Sequence, residues 1–154
     1  MRGAKKWQKS RLEWATKSYF VRREGQGEES RIDIEIACPD VFLIHIENKV
    51  WSEEGEDQLG REWRDLEQRA SQLNVRPDAR VAIFLTPTGS TPSHARFRPL
   101  AWSEVARVFE RFAEPQHAKA PMVRLFAAHY ADAVCMCIAG YSSDKESNDG
   151  EADI

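Results

Sequence analysis

Apolar and polar positions alternate with a period of two along Arg31–Lys49, where Ile32, Ile34 and Ile36 interleave with Asp33 and Glu35, and Ile44 and Ile46 with His45 and Glu47. That period is the signature of a β-strand with two unlike faces. Pro39-Asp40 interrupts it with residues that favour a turn, so the stretch predicts a β-hairpin. A turn centred near residues 39–40 pairs residues whose numbers sum to about 80, as antiparallel pairing requires. Asp33 then faces Glu47, Glu35 faces His45, and Lys49 lies on the same face as both acids.

Periodicity elsewhere supplies the remaining elements. Residues 7–18 mix apolar and basic positions at helical spacing, and residues 19–23 read as a short strand before a polar loop at 25–30. After the hairpin, Ser52 is a candidate N-cap, followed by Glu53, Glu54, Glu56 and Asp57, acids suited to a helix start. Leu59, Trp63, Leu66, Ala70 and Leu73 then recur at helical spacing, with an exit turn at 74–78. The run 80–85, Arg-Val-Ala-Ile-Phe-Leu, reads as a strand buried on both faces, and 86–93 as a loop. A helix over 103–113 has Val105, Val108, Phe109 and Phe112 as its core stripe and ends before Pro115. A last helix spans about 122–139. These elements predict an α/β fold, a small mixed β-sheet flanked by helices, as a single domain over 1–141.

Composition excludes several classes. With 42% hydrophobic and 31% charged residues the chain is an ordinary globular one, and no apolar run approaches the ~20 residues of a membrane span. The first residues lack the apolar core of a signal peptide, so the expected compartment is the cytoplasm, with no membrane partner. The three cysteines suit buried reduced thiols better than disulfides or a zinc cage, because no second Cys or His pair has ligand spacing. The net charge of −3 conceals an asymmetry: residues 1–24 carry eight Lys or Arg against two Glu, whereas 142–154 carry five acids against one Lys. The basic end suits phosphate, or is simply a solvated helix face. The acidic, Ser-rich tail at 142–154 is expected to be disordered.

Two carboxylates and a lysine on one face of a sheet are costly unless a cation or substrate uses them. Phosphodiester hydrolysis needs a nucleophile at neutral pH and compensation for charge growing on phosphorus. A divalent cation held by carboxylates, main-chain carbonyls and water supplies both. Asp33 and Glu47 are the candidate metal ligands, with the Asn48 carbonyl as a further oxygen, and Lys49 can neutralise phosphate as a compact charge. Gln58, early in the following helix and beside its apolar stripe, is placed to point back at them. The bland alternatives are a surface ion pair for Glu47 and Lys49, and a solvated side chain for Gln58. Glu35 and His45 read as a cross-strand surface pair. Trp7, Trp14 and Trp51 are free to stack bases, whereas Trp63 and Trp102 fall on core stripes.

The order Arg31-Ile32-Asp33, Ile46-Glu47-Asn48-Lys49, Asp57-Gln58-Leu59 resembles the PD-(D/E)xK nuclease superfamily, in particular its bacterial restriction-like branch with an Ile-Glu-Asn-Lys strand and a Gln-Leu helix. Phe84-Leu85-Thr86-Pro87-Thr88-Gly89 and Trp102-Ser103-Glu104-Val105 are similar to that branch as well. The resemblance implies a restriction-endonuclease-like core and Mg²⁺-dependent cleavage of nucleic acid, DNA ahead of RNA, with Mn²⁺ as an alternative ion. It implies catalytic roles for Asp33, Glu47, Lys49 and Gln58, with metal at Asp33 and Glu47, and is compatible with a homodimer. Two features depart from the pattern. Glu62 stands where a tyrosine is common four residues after the glutamine, and only Glu13 and Glu24 could serve as the acid that the family's first helix often contributes. The rival expectation is a catalytically impaired module of the same fold that binds nucleic acid or a protein.

Overall fold

The structure, a computed structural model, describes residues 18–138, which fall into two compact units, one ending at Leu100 and the other beginning at Ala101. The helix expected over 7–18, with Glu13, Trp7 and Trp14, and the tail 142–154 lie outside the described residues.

In the first unit, strands β1 (Phe20–Gln26), β2 (Arg31–Cys38), β3 (Phe42–Asn48), β4 (Arg80–Thr86) and β5 (Phe97–Ala101) form one sheet in that order. β1 and β3 flank β2 antiparallel, and β4 runs parallel to β3, so the sheet is mixed. The hairpin has the expected register: Glu35 pairs with His45, Ile36 with Ile44, and Ala37 with Leu43. Its turn follows from two residues. The Val41 amide donates to the Cys38 carbonyl at 3.0 Å, Pro39 takes the position where its fixed φ fits, and Asp40 adopts φ 62°.

Helix α1 (Gln58–Gln72) crosses from β3 to β4. Its Leu59, Leu66 and Ala70 bury against Ala37, Leu43, Ala82, Phe84 and Phe97 of the sheet, which is the core of this unit. Its start differs from the sequence reading. Ser52 is no cap, and residues 53–57 are not helical; Asp57, at φ 46°, precedes the first helical residue, Gln58. The acids that resemble a first turn are engaged elsewhere: Glu54 binds the amide and hydroxyl of Ser93, and Asp57 binds Arg64. A polar loop at 27–30 wraps the side of α1, where Asp65 accepts the amides of Glu28 and Glu29 and the Ser30 hydroxyl. Gly27 suits that position, because a Cβ there would run into the Asp65 carboxylate that accepts the loop amides.

β5 is absent from the sequence reading. Its five residues, Phe-Arg-Pro-Leu-Ala, show no alternation and contain a proline, which argues against a central strand and suits the edge position it occupies.

The second unit is a pair of helices, α2 (Trp102–Phe112) and α3 (Pro121–Cys137), joined by a turn. α2 starts one residue before the expected Ser103 cap, and Glu104 accepts the Ala101 amide instead. Its expected core stripe is corrected: Trp102 and Ala106 are buried, whereas Val108 and Phe112 are exposed. Phe109 does pack, against Tyr130 of α3 at 4.6 Å between ring centroids. The cysteines are free, but Cys38 alone is fully buried and Cys137 is exposed.

Candidate active site

The end of the β2–β3 ladder brings the candidate residues together. Beyond the Ile34–Ile46 pair the strands part, and the Asp33 carboxylate accepts the Asn48 amide at 2.8 Å. Period-two alternation places Glu47 on the face covered by α1, where it is 3% exposed. Parallel pairing with β4 continues through Asn48–Leu85, and the Lys49 amide donates to the Leu85 carbonyl at 2.9 Å. The backbone of Glu47 and Lys49 is thereby held between β2 and β4.

Gln58 links strand to helix. Its amide nitrogen donates to Glu47 Oε1 at 2.6 Å and to Glu62 Oε1 at 2.8 Å. Its amide oxygen accepts from Lys49 Nζ at 2.8 Å and from the Gly55 amide at 3.1 Å. Lys49 Nζ also lies 3.0 Å from Glu47 Oε1. The late helix start produces this arrangement: with Gln58 as the first helical residue, its side chain turns back over the strand end while Leu59 enters the core.

The electrostatics work against the charged forms of two of these acids. Burial pushes the Glu47 carboxyl above its usual range, and the Asp33 charge adds to this against the hydrogen bond from Lys49. Glu62 goes further, to about 8, first through burial and then through the charge of Glu47. Lys49 pairs with Glu47 through Oε1, and Glu47 Oε2 is buried without a hydrogen-bond partner.

Glu62 is the site residue that sequence reasoning missed as a participant. It follows Gln58 by four positions, a spacing that puts both on one helix face, and that signal was available. Other candidates sit apart. Glu24 is exposed and pairs with Arg31 at 2.6 Å. Glu35 and His45 pair as the register requires, at 3.1 Å, but both are buried rather than on the surface. Arg22 and Arg69 close over the same Glu35 carboxylate. Trp63 stacks on His94 and lies beneath Arg96, while Trp51, two residues past Lys49, is 84% exposed.

The model of the PD-(D/E)XK nuclease superfamily matches residues 4–143. The chain belongs to that superfamily. Its mixed five-stranded sheet and three helices, counted among the described residues, are consistent with the restriction-endonuclease-like fold. No curated protein and no solved structure matches the chain.

Nucleases of this superfamily generally use divalent metals. The residues here fit such an ion: the donors are hard carboxylate oxygens, and Glu47 Oε2 is an orphaned buried acceptor of the kind a cation would satisfy. Among the described residues no three Asp, Glu, His or Cys side chains converge closely enough to hold a metal by themselves. Among the described residues, no helix is long and apolar enough to cross a membrane.

Proposed function

We propose that the protein is a metal-dependent nuclease that hydrolyses phosphodiester bonds in nucleic acid, DNA ahead of RNA, with Mg²⁺ as its natural ion, Mn²⁺ as a substitute, and the cytoplasm as its compartment. The observation that carries this reading is the clamp at the strand end, where Lys49 is fixed between Glu47 and Gln58 beside an orphaned carboxylate oxygen. A simple structural ion pair would not leave a buried acceptor unpaired and acids in excess of cations.

Asp33 and Glu47 would hold the cation from adjacent strands. When bound, the ion supplies an acidified water and offsets charge on the phosphate. Lys49, kept rigid by its two acceptors, presents its ammonium to the phosphoryl oxygens and neutralises the charge that develops there. Gln58 keeps the lysine from collapsing fully onto Glu47 by sharing it. The asymmetry matters chemically: a cation entering beside Glu47 supplies the positive charge the cluster lacks, which makes cleavage ion-dependent. Cutting both strands of a duplex would call for two copies in a homodimer.

A second reading has one observation in its favour, the carboxylate of Glu62 in the place of a common family tyrosine. It is a module that binds nucleic acid or a protein partner without turnover.

The deciding experiment is cleavage of supercoiled plasmid and labelled single strands with Mg²⁺, Mn²⁺ or EDTA, beside Lys49→Ala. Ion-dependent cutting lost in the variant supports the nuclease. Salt-sensitive binding without cutting by folded protein replaces it with the binding module.

A further inference from the structure

Glu62 is 2% exposed, four residues along α1 from Gln58, and one of its oxygens accepts the Gln58 amide at 2.8 Å. Gln58 has two amide protons and one carbonyl oxygen. Both protons are committed, one to Glu47 and one to Glu62, and the oxygen takes both the Lys49 ammonium and the Gly55 amide. A reversed amide would set its NH₂ against two groups that can only donate, the Lys49 ammonium and the Gly55 amide, so those two contacts fix this orientation. Of the four contacts, the one to Glu47 goes to a group that a cation would claim directly. Lys49 gives one N–H to Gln58 and one to Glu47, which leaves a third for phosphate without breaking its contact to Gln58. The Gly55 contact belongs to an exposed loop. Glu62 is therefore the acceptor that can hold Gln58 throughout a turnover, because it is buried and rooted on the same helix.

We propose that Glu62 is a positioning residue that anchors the Gln58 amide, and through it the Lys49 ammonium, while Glu47 and Lys49 engage ion and substrate. This rests on the nuclease reading of the site. Glu62 touches neither ion nor phosphate in this role; it acts through Gln58.

The test is a double-mutant cycle between Glu62 and Gln58, read as steady-state cleavage of a labelled oligonucleotide in Mg²⁺ and as the side-chain amide NMR signals of ¹⁵N-glutamine-labelled protein. Glu62→Leu fills the same buried volume without an acceptor and should lower kcat about tenfold or more, with KM within about twofold. Glu62→Gln keeps an acceptor oxygen and should recover most of that loss. The double variant Glu62→Leu/Gln58→Ala should be no slower than Gln58→Ala, since the two act as a unit. Additive losses would instead make Glu62 an independent participant, such as a direct ion ligand, and overturn the proposal. If the wild type does not cut at all, the nuclease reading fails by itself, and the spectra still decide the anchoring. The Gln58 signals, identified by their loss in Gln58→Ala, should shift and lose exchange protection in Glu62→Leu; unchanged signals overturn the proposal.

Discussion

Two carboxylates lie on one face of the same hairpin, buried to nearly the same degree, Glu35 at 0% exposed and Glu47 at 3%, yet their surroundings are opposite. Glu35 collects the His45 ring at 3.1 Å, the Arg22 guanidinium at 3.1 Å and the Arg69 guanidinium at 3.3 Å. Burial alone would raise its pKa, but the His45 and Arg69 hydrogen bonds and the charges of Arg69 and Arg22 outweigh it and leave the value near 2. Glu47 has one ammonium, two neighbouring acids and an unpaired oxygen, and its pKa rises. Burial is therefore not what separates structural from chemical carboxylates here. Compensation is: the Glu35 carboxylate is matched by cationic groups, although His45 Nδ1 and Arg22 Nε of its cluster lack hydrogen-bond partners, whereas the Glu47 cluster is short of a positive charge.

The sharpest way to break that contrast is to neutralise each acid in turn. Glu47→Gln should reduce ion-dependent cleavage by at least about a hundredfold while leaving the melting temperature unchanged or higher, because a strained buried charge is removed. Glu35→Ala should do the reverse in stability, costing about 3 kcal/mol by leaving Arg69 and the partly exposed Arg22 without their counter-charge. Chemical denaturation and cleavage of the same two variants check both. A Glu35 variant of full stability, or a Glu47 variant of full activity, would erase the distinction.

The two clusters should also pull stability in opposite directions with pH. The depressed pKa of Glu35 gives stability that is present above its unfolded value of 4.5 and lost as pH falls from there toward 2. The raised pKa of Glu62 works the other way: its contribution is complete below 4.5 and declines as pH rises toward about 8. In metal-free buffer, Glu62→Gln should therefore gain on the wild type steadily between pH 4.5 and 8, by up to a few kcal/mol. Below pH 4.5 the difference should flatten. Melting temperatures across pH 4–9 in EDTA test this, and a difference curve without slope in that window would mean that Glu62 is not held protonated.

Much of this site was legible in the chain because it depends on local rules. The hairpin register follows from Pro39-Asp40 and a strict period of two, and that register alone sets Glu35 against His45 and carries Asp33 toward Glu47. Gln58 was legible as an early helical residue beside an apolar stripe. What escaped depends on non-local partners. The start of α1 differs from the sequence reading because Glu54 answers to Ser93, far along the chain, and Asp57 turns to Arg64 in place of capping the helix. The Glu35–His45 pair reads as a surface pair from sequence because Arg22 and Arg69, which close over Glu35, come from other elements. Val108 and Phe112 look like core on a helical wheel, but α2 buries Trp102 and Ala106 instead. Periodicity shows that a helix has two faces, not which of them is covered.

The smallest effect separates the clusters most cleanly, since it involves no loss of any side chain. Only a site short of positive charge should be stabilised by a divalent cation, and any ligand that binds the folded chain alone must raise its melting temperature. An ion present at ten times its Kd adds about 1.4 kcal/mol by this linkage. The wild type should show such a rise on going from EDTA to millimolar Mg²⁺, and Glu35→Gln, if it folds, should show the same rise from a lower start, because its cluster takes no part. Glu47→Gln and Asp33→Asn should start as high as the wild type and gain nothing. Monovalent salt at matched ionic strength controls for screening, which would affect the exposed pairs Arg76–Asp78 and Arg31–Glu24 but not the buried acids. A Mg²⁺ shift that survived in Glu47→Gln would place the ion elsewhere and leave the two hairpin carboxylates as alternative solutions to one structural problem.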